Sequence, residues 1–155
     1  MLINLFTKGL RPFLWLMDFL QPVGDLAARC WVAWIFFKAG LVKIESWDAT
    51  LMLFRYEYQV PILPSDWAAV IGTGAELLLP ILLVIGLGGR LTILLLFIYN
   101  IVAMISYPFL WTAEGAAGFD FHVNWGILLA LLMFHGSGKL SVDYWIRRRY
   151  QQALK

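Results

Sequence analysis

Four stretches of this chain are apolar over nearly the length needed to cross a bilayer, and few folds accommodate such stretches. A hydrocarbon core about 30 Å thick takes roughly 20 apolar residues as a helix. The stretches cover about residues 26–44, 67–87, 90–107 and 122–138. An open strand would leave its backbone unsatisfied in lipid, so all four are predicted to be helices. The expected architecture is all-α: one domain over residues 1–155, built as a four-transmembrane-helix bundle. Composition agrees. The chain is 61% hydrophobic and 14% charged, where a soluble domain has about 45–50% and about 25%.

Basic residues set the expected orientation. Lys8, Arg11, Arg90, Lys139, Arg147, Arg148, Arg149 and Lys155 fall on one side of the predicted spans, and only Lys43 and Arg55 on the other. Cytoplasmic flanks are enriched in Lys and Arg, which predicts a multi-pass inner-membrane protein with both termini cytoplasmic. The outer loops are acidic, with Glu45, Asp48, Glu57, Asp66, Glu114 and Asp120.

The connecting segments also carry pattern. "LRPFLWLMDFLQP" is too short to span and is rich in Phe, Trp and Leu, so it is expected to be an interfacial helix. It makes a poor signal peptide, because Asp18 interrupts it. Between the first two spans, Leu51, Phe54 and Tyr58 recur at helical spacing before "VPILP", predicting an outer surface helix. After the fourth span, Gly136 and Gly138 stop the helix. Ser141 then stands where it would cap a basic amphipathic C-terminal helix within the tail, residues 139–155. Its three consecutive arginines are expected to meet lipid headgroups rather than nucleic acid.

Ionisable residues inside the spans bear on function, because each is costly in lipid and needs a partner or a task. Glu76 lies nine residues into the second span, about 13 Å deep. Arg29 shares a helical face with Ala33, Phe36 and Gly40, while Lys38 faces the opposite way among Trp31, Trp34 and Val42. Glu76 has Gly72 and Ala68 on its own stripe. Two small-residue stripes suit close helix packing, so Arg29 is the expected partner of Glu76. Lys38 would snorkel outward, and Asn100, midway along the third span, would hydrogen-bond to either member of the pair. Such a pair either fixes helix register or lines a proton or ligand site. Both readings stay open.

Other chemistries are thinly represented. The single cysteine, Cys30, excludes an internal disulfide and a C-x-x-C motif, and it is expected to be buried and inert. Arg29 directly before it also excludes a lipoprotein reading. His122 and His135 stand at opposite ends of the fourth span and cannot clamp one haem. Asp120 and His122 form only a weak candidate for copper or zinc, and no resident metal is expected. No P-loop, H-E-x-x-H or nucleophilic triad is present.

Taken in order, these residues resemble the DoxX family of small bacterial four-helix membrane proteins. The resemblance runs from about Arg29 to Asp143. It is carried by Arg29, Phe37, Gly40 and Lys43 in the first span, then by Glu76 followed by a Leu-rich run and Arg90. The close, Gly136, Gly138, Ser141 and Asp143, matches a Gly-x-Gly-x-x-Ser-x-Asp pattern. The resemblance implies association with quinone-linked sulfur oxidation, with thiol and oxidative-stress complexes, or with production of copper-binding peptides. It therefore implies a quinone-associated or non-catalytic redox subunit, or an accessory for maturation or export of a metal-binding peptide; a scaffold whose polar pair serves only assembly is the third reading. The lipid bilayer, a quinone and redox or thiol enzymes are the expected partners, with a homo-oligomer compatible and whether the chain is itself an enzyme left open.

Overall fold

The computed structural model describes residues 2–153, and it is helical throughout, with no strand among them. The helices are α1 (Leu2–Glu45), α2 (Trp47–Tyr56), α3 (Ser65–Ile85), α4 (Gly89–Ser106), α5 (Ala116–His135) and α6 (Val142–Ala153). A short 3-10 turn, Pro108–Trp111, joins α4 to the loop before α5. Among the described residues, α3, α4 and α5 are each long and apolar enough to cross a membrane. The half of α1 expected to span carries Arg29, Lys38 and Lys43, and that charge separates it from the other three.

α1 packs chiefly on α3, and α4 on α5, with α3 meeting α4 between the two pairs. Val32, Ala33 and Phe36 from α1 close the core with Leu83, Ile93, Leu96, Leu129 and Leu132. A second cluster, Phe54 with Ala68 and Ala69, seats α2 on the first turns of α3. Facing outward instead are Trp31, Trp34, Leu78, Leu95, Ile127 and Leu131. A soluble protein would bury such side chains; a membrane protein turns them toward lipid.

Three expectations change. The interfacial segment is not a separate element: it is the first half of one continuous α1 that contains Pro12 and Pro22. At 1.5 Å per residue that helix is about 66 Å long, far beyond one bilayer core. Proline's fixed φ is itself helical, and an apolar segment in lipid satisfies its backbone best by staying helical. α5 begins at Ala116, six residues before the expected start, and within its first turn Gly118 packs so closely on Leu110 that a Cβ there would lie 2.7 Å from its Cδ2. Cys30 is exposed on the outward face of α1 rather than buried. The outer surface helix is present as α2 and the C-terminal one as α6, with Ser141 Oγ accepting from the Tyr144 N–H at 3.2 Å as its cap.

Candidate functional site

The stripes expected to face each other do so. Arg29, Ala33, Phe36 and Gly40 on α1 are buried, as are Ala68, Gly72, Glu76 and Pro80 on α3. Their register differs from the expectation. A Cβ built on Gly40 would lie 3.0 Å from the Glu76 Cβ and 2.9 Å from Leu77 Cδ2, so residue 40 stands level with 76. Arg29, eleven residues earlier along α1, is about 16 Å away along the axis. It does not pair with Glu76.

Lys43 does. Its Nζ donates to both carboxylate oxygens of Glu76, at 2.7 and 2.6 Å. The Tyr99 hydroxyl on α4 donates to Glu76 Oε1 at 2.8 Å. Glu76 is thus held by a cation from α1 and a phenol from α4, with side-chain exposures of 13% for Lys43 and 7% for Glu76. From sequence alone Lys43 counts among the basic residues on the outer side of the spans. Its face was legible, because Gly40 and Lys43 are three residues apart and so share a stripe. The axial level was not: α3 rises past the end of α1 to meet α2, so counting inward from the first apolar residue of α3 misplaces Glu76.

Arg29 has a different set of contacts. It is fully buried, and its guanidinium donates to the carbonyls of Leu83 (3.2 Å), Val84 (3.1 Å) and Leu140. It ties the last turn of α3 to the segment before α6. Gly86 (φ +68°) makes this possible: a Cβ there would come within 2.6 Å of Arg29 Nη1. Asp143 Oδ1 accepts from the Gly88 N–H at 3.3 Å, and Arg90 donates to the Phe134 carbonyl at 3.2 Å. Gly138, Ser141 and Asp143 therefore belong to this end of the bundle, with Arg29 and Arg90.

Asn100 meets neither Arg29 nor Glu76. Its Nδ2 donates to the His122 carbonyl and its Oδ1 lies 2.9 Å from His122 Nδ1, clamping α4 to α5. Lys38 is exposed, as expected. Asp120 is exposed while His122 is turned inward, and no group of three or more His, Cys, Asp or Glu side chains is gathered for a metal among the described residues.

Above the Lys43–Glu76–Tyr99 cluster lies a cavity of about 400 Å³. Its walls are mainly apolar, with Phe36, Phe54, Tyr58, Tyr107 and Trp125 set among aliphatic side chains, and they reach the surface at Leu63 and Ile71. The Tyr58 ring is set edge-on between Phe54 and Tyr107, at 4.9 and 5.0 Å between ring centroids. Burial, reinforced by the Glu76 carboxylate, pushes its hydroxyl up to about 12, so it is a neutral O–H donor at physiological pH. Ser106 Oγ, also in the lining, is buried with no protein partner. Buried hydroxyls are normally paired. The site is an apolar slot with a charged, hydrogen-bonded base, the usual form of a small-molecule pocket.

Close approach at Gly40 is what lets Lys43 reach Glu76. Gly40→Val is expected to push Leu77 and Glu76 aside and to lower stability by about 1–3 kcal/mol, as overpacking does. A melt of the purified variant in detergent tests this; an unchanged midpoint would mean that α1 and α3 are not packed as described.

A family model described as DoxX matches residues 24–111. The match takes in α1 from Gly24, the cavity-lining parts of α2 to α4, and Glu76, and it ends before the Gly136–Asp143 close. An uncharacterized protein of Haemophilus influenzae is 30% identical over 142 residues, covering 84% of this chain and 91% of the relative. No solved structure matches the chain.

Proposed function

The chain belongs to the DoxX family of membrane proteins, and from that premise we propose that it binds a lipophilic carbonyl compound, a quinone foremost, as a non-catalytic subunit of a redox or thiol system. In this reading the second half of α1 joins α3, α4 and α5 as a fourth span, in the bacterial inner membrane. Both termini are cytoplasmic, following the basic residues, and the cavity lies in the outer half.

The observation that carries the proposal is the cavity itself. It joins aromatic walls to donors that the protein does not fully use: the Ser106 hydroxyl without a partner, the Tyr58 hydroxyl, and the third N–H of Lys43. Flat rings stack well against such walls, and a carbonyl oxygen takes hydrogen bonds from such donors. A bound quinone would supply a two-electron acceptor for a partner enzyme. The chain's own residues would bind it, orient it by its carbonyl oxygens and exclude water from it. Glu76 holds the Lys43 ammonium in place.

The protein purified in mild detergent is expected to carry extractable quinone, identified by chromatography. Tyr58→Phe together with Ser106→Ala should lower that content about tenfold, the order expected for two lost hydrogen bonds, while leaving the Lys43–Glu76 pair intact. Folded protein that carries no quinone, and takes up none when it is added, would sink the proposal.

A further inference from the structure

At the opposite end of the bundle, α3 and α5 stop and α4 and α6 begin within two glycine-rich turns. Gly86, Gly88 and Gly89 in one turn, and Gly136 and Gly138 in the other, have positive φ. These turns fold the backbone around a second cavity of about 450 Å³, lined by Gly89, Arg90, His135, Ser137, Asp143 and Arg147 among others. Its lining is polar where that of the outer cavity is apolar.

Ser137 is 4% exposed, and its Oγ has no hydrogen-bond partner in the protein. It stands 3.4 Å from where a Cβ on Gly89 would lie, at the start of α4, with the Asp143 carboxylate 2.7 Å from the same point. Arg90 spends one N–H on the Phe134 carbonyl, and Arg147 its Nε on the Asp143 carbonyl, at 3.3 Å. The rest of each guanidinium fork is uncommitted. Asp143 is the one acid in the lining, and its Oδ1 already takes the Gly88 N–H. Two guanidiniums and an orphaned hydroxyl face a single lining carboxylate, with Asp25 just outside the lining, 3.7 Å from His135, so the cavity has hydrogen-bond donors in excess. Its natural complement is a small anion with several acceptor oxygens.

We propose that this cavity binds a phosphate group, supplied by the headgroup of an anionic phospholipid. The cavity sits where the apolar runs of α3, α4 and α5 end, the level at which headgroups lie. Beside it, α6 exposes Trp145, Ile146 and Tyr150 in the manner of an interfacial helix. The site is separate from the quinone proposal and stands without it.

The test is native mass spectrometry of the full chain in detergent, titrated with phosphatidylglycerol, with diacylglycerol as the phosphate-free control. Phosphatidylglycerol should be retained and diacylglycerol not. Arg90→Gln with Arg147→Gln should weaken retention by about tenfold or more. Ser137→Ala removes a hydroxyl that no protein group uses, so it should weaken lipid binding without lowering the melting temperature. Added inorganic phosphate separates the sources: failure to displace the lipid assigns the site to headgroups, and ready displacement assigns it to free phosphate. Retention of diacylglycerol equal to phosphatidylglycerol would overturn the proposal. Unchanged lipid affinity in both the arginine and the serine variants would do the same.

Discussion

Glu76→Gln is expected to lower stability by about 3–5 kcal/mol, the cost of leaving one member of a buried ion pair without its counter-charge. Lys43 donates to both oxygens of Glu76 in a setting where neither side chain is much exposed. Glutamine keeps one carbonyl oxygen for Tyr99 or for Lys43 but offers no charge, and the ammonium is then stranded. Adding Lys43→Met should recover most of the loss, because two apolar or neutral groups of similar volume replace two charges that required each other. Denaturant unfolding of the purified single and double variants measures this coupling. A single variant as stable as the parent would mean that the pair is not buried as described. The same result bears on ligand studies: loss of quinone from Glu76→Gln alone would not separate binding from folding, which is why the hydroxyl variants are the better probes.

Arg29→Met is expected to be as damaging, by about 3–5 kcal/mol, through a different route. Hydrogen bonds from a charged donor are each stronger than neutral ones, and here three are lost together, although the Leu83 carbonyl keeps the Gly86 N–H. The loss should be local at first. Because Arg29 ties Leu140 to the end of α3, limited proteolysis should cut the variant around residues 136–142 well before the rest of the bundle. Arg29→Lys should rescue only part of this, since a single ammonium cannot reproduce the guanidinium fork. Combining Arg29→Met with Glu76→Gln should give additive losses, because the two side chains share no partner and stand at levels about 16 Å apart along the bundle axis. Mutual rescue would restore the pairing expected from sequence and refute the register described above.

Much of the fold was legible. Helical periodicity correctly identified the buried stripe of α1 from Arg29 to Gly40 and that of α3 through Gly72 and Glu76, because small residues at three- and four-residue spacing mark a close interface whatever the register. Glycines at 136 and 138 marked the end of α5, and Ser141 the cap of α6, because those signals act within one turn. The site was half legible. Glu76 was identified as the residue to explain, but Lys43 and Tyr99 were not identified as its partners. Lys43 looks like an ordinary flanking charge, and Tyr99 like one more aromatic in an apolar run. Lys43 shows only its face and Tyr99 has no local signal, since their meeting depends on how far α3 slides along α1 and on α4 packing beside both.

The sequence by itself determined that this is a helical membrane protein, which faces of α1 and α3 pack together, and that a carboxylate would be buried between them. Hydrophobic periodicity and the cost of charge in lipid act residue by residue, so they can be read from the chain. Only the tertiary structure decided which cation meets that carboxylate, that Arg29 serves backbone carbonyls, and that two chemically distinct cavities lie at opposite ends of the bundle. Those outcomes depend on axial register between helices, and a stripe repeated every turn leaves register undetermined until α2, the glycine turns and α6 fix it.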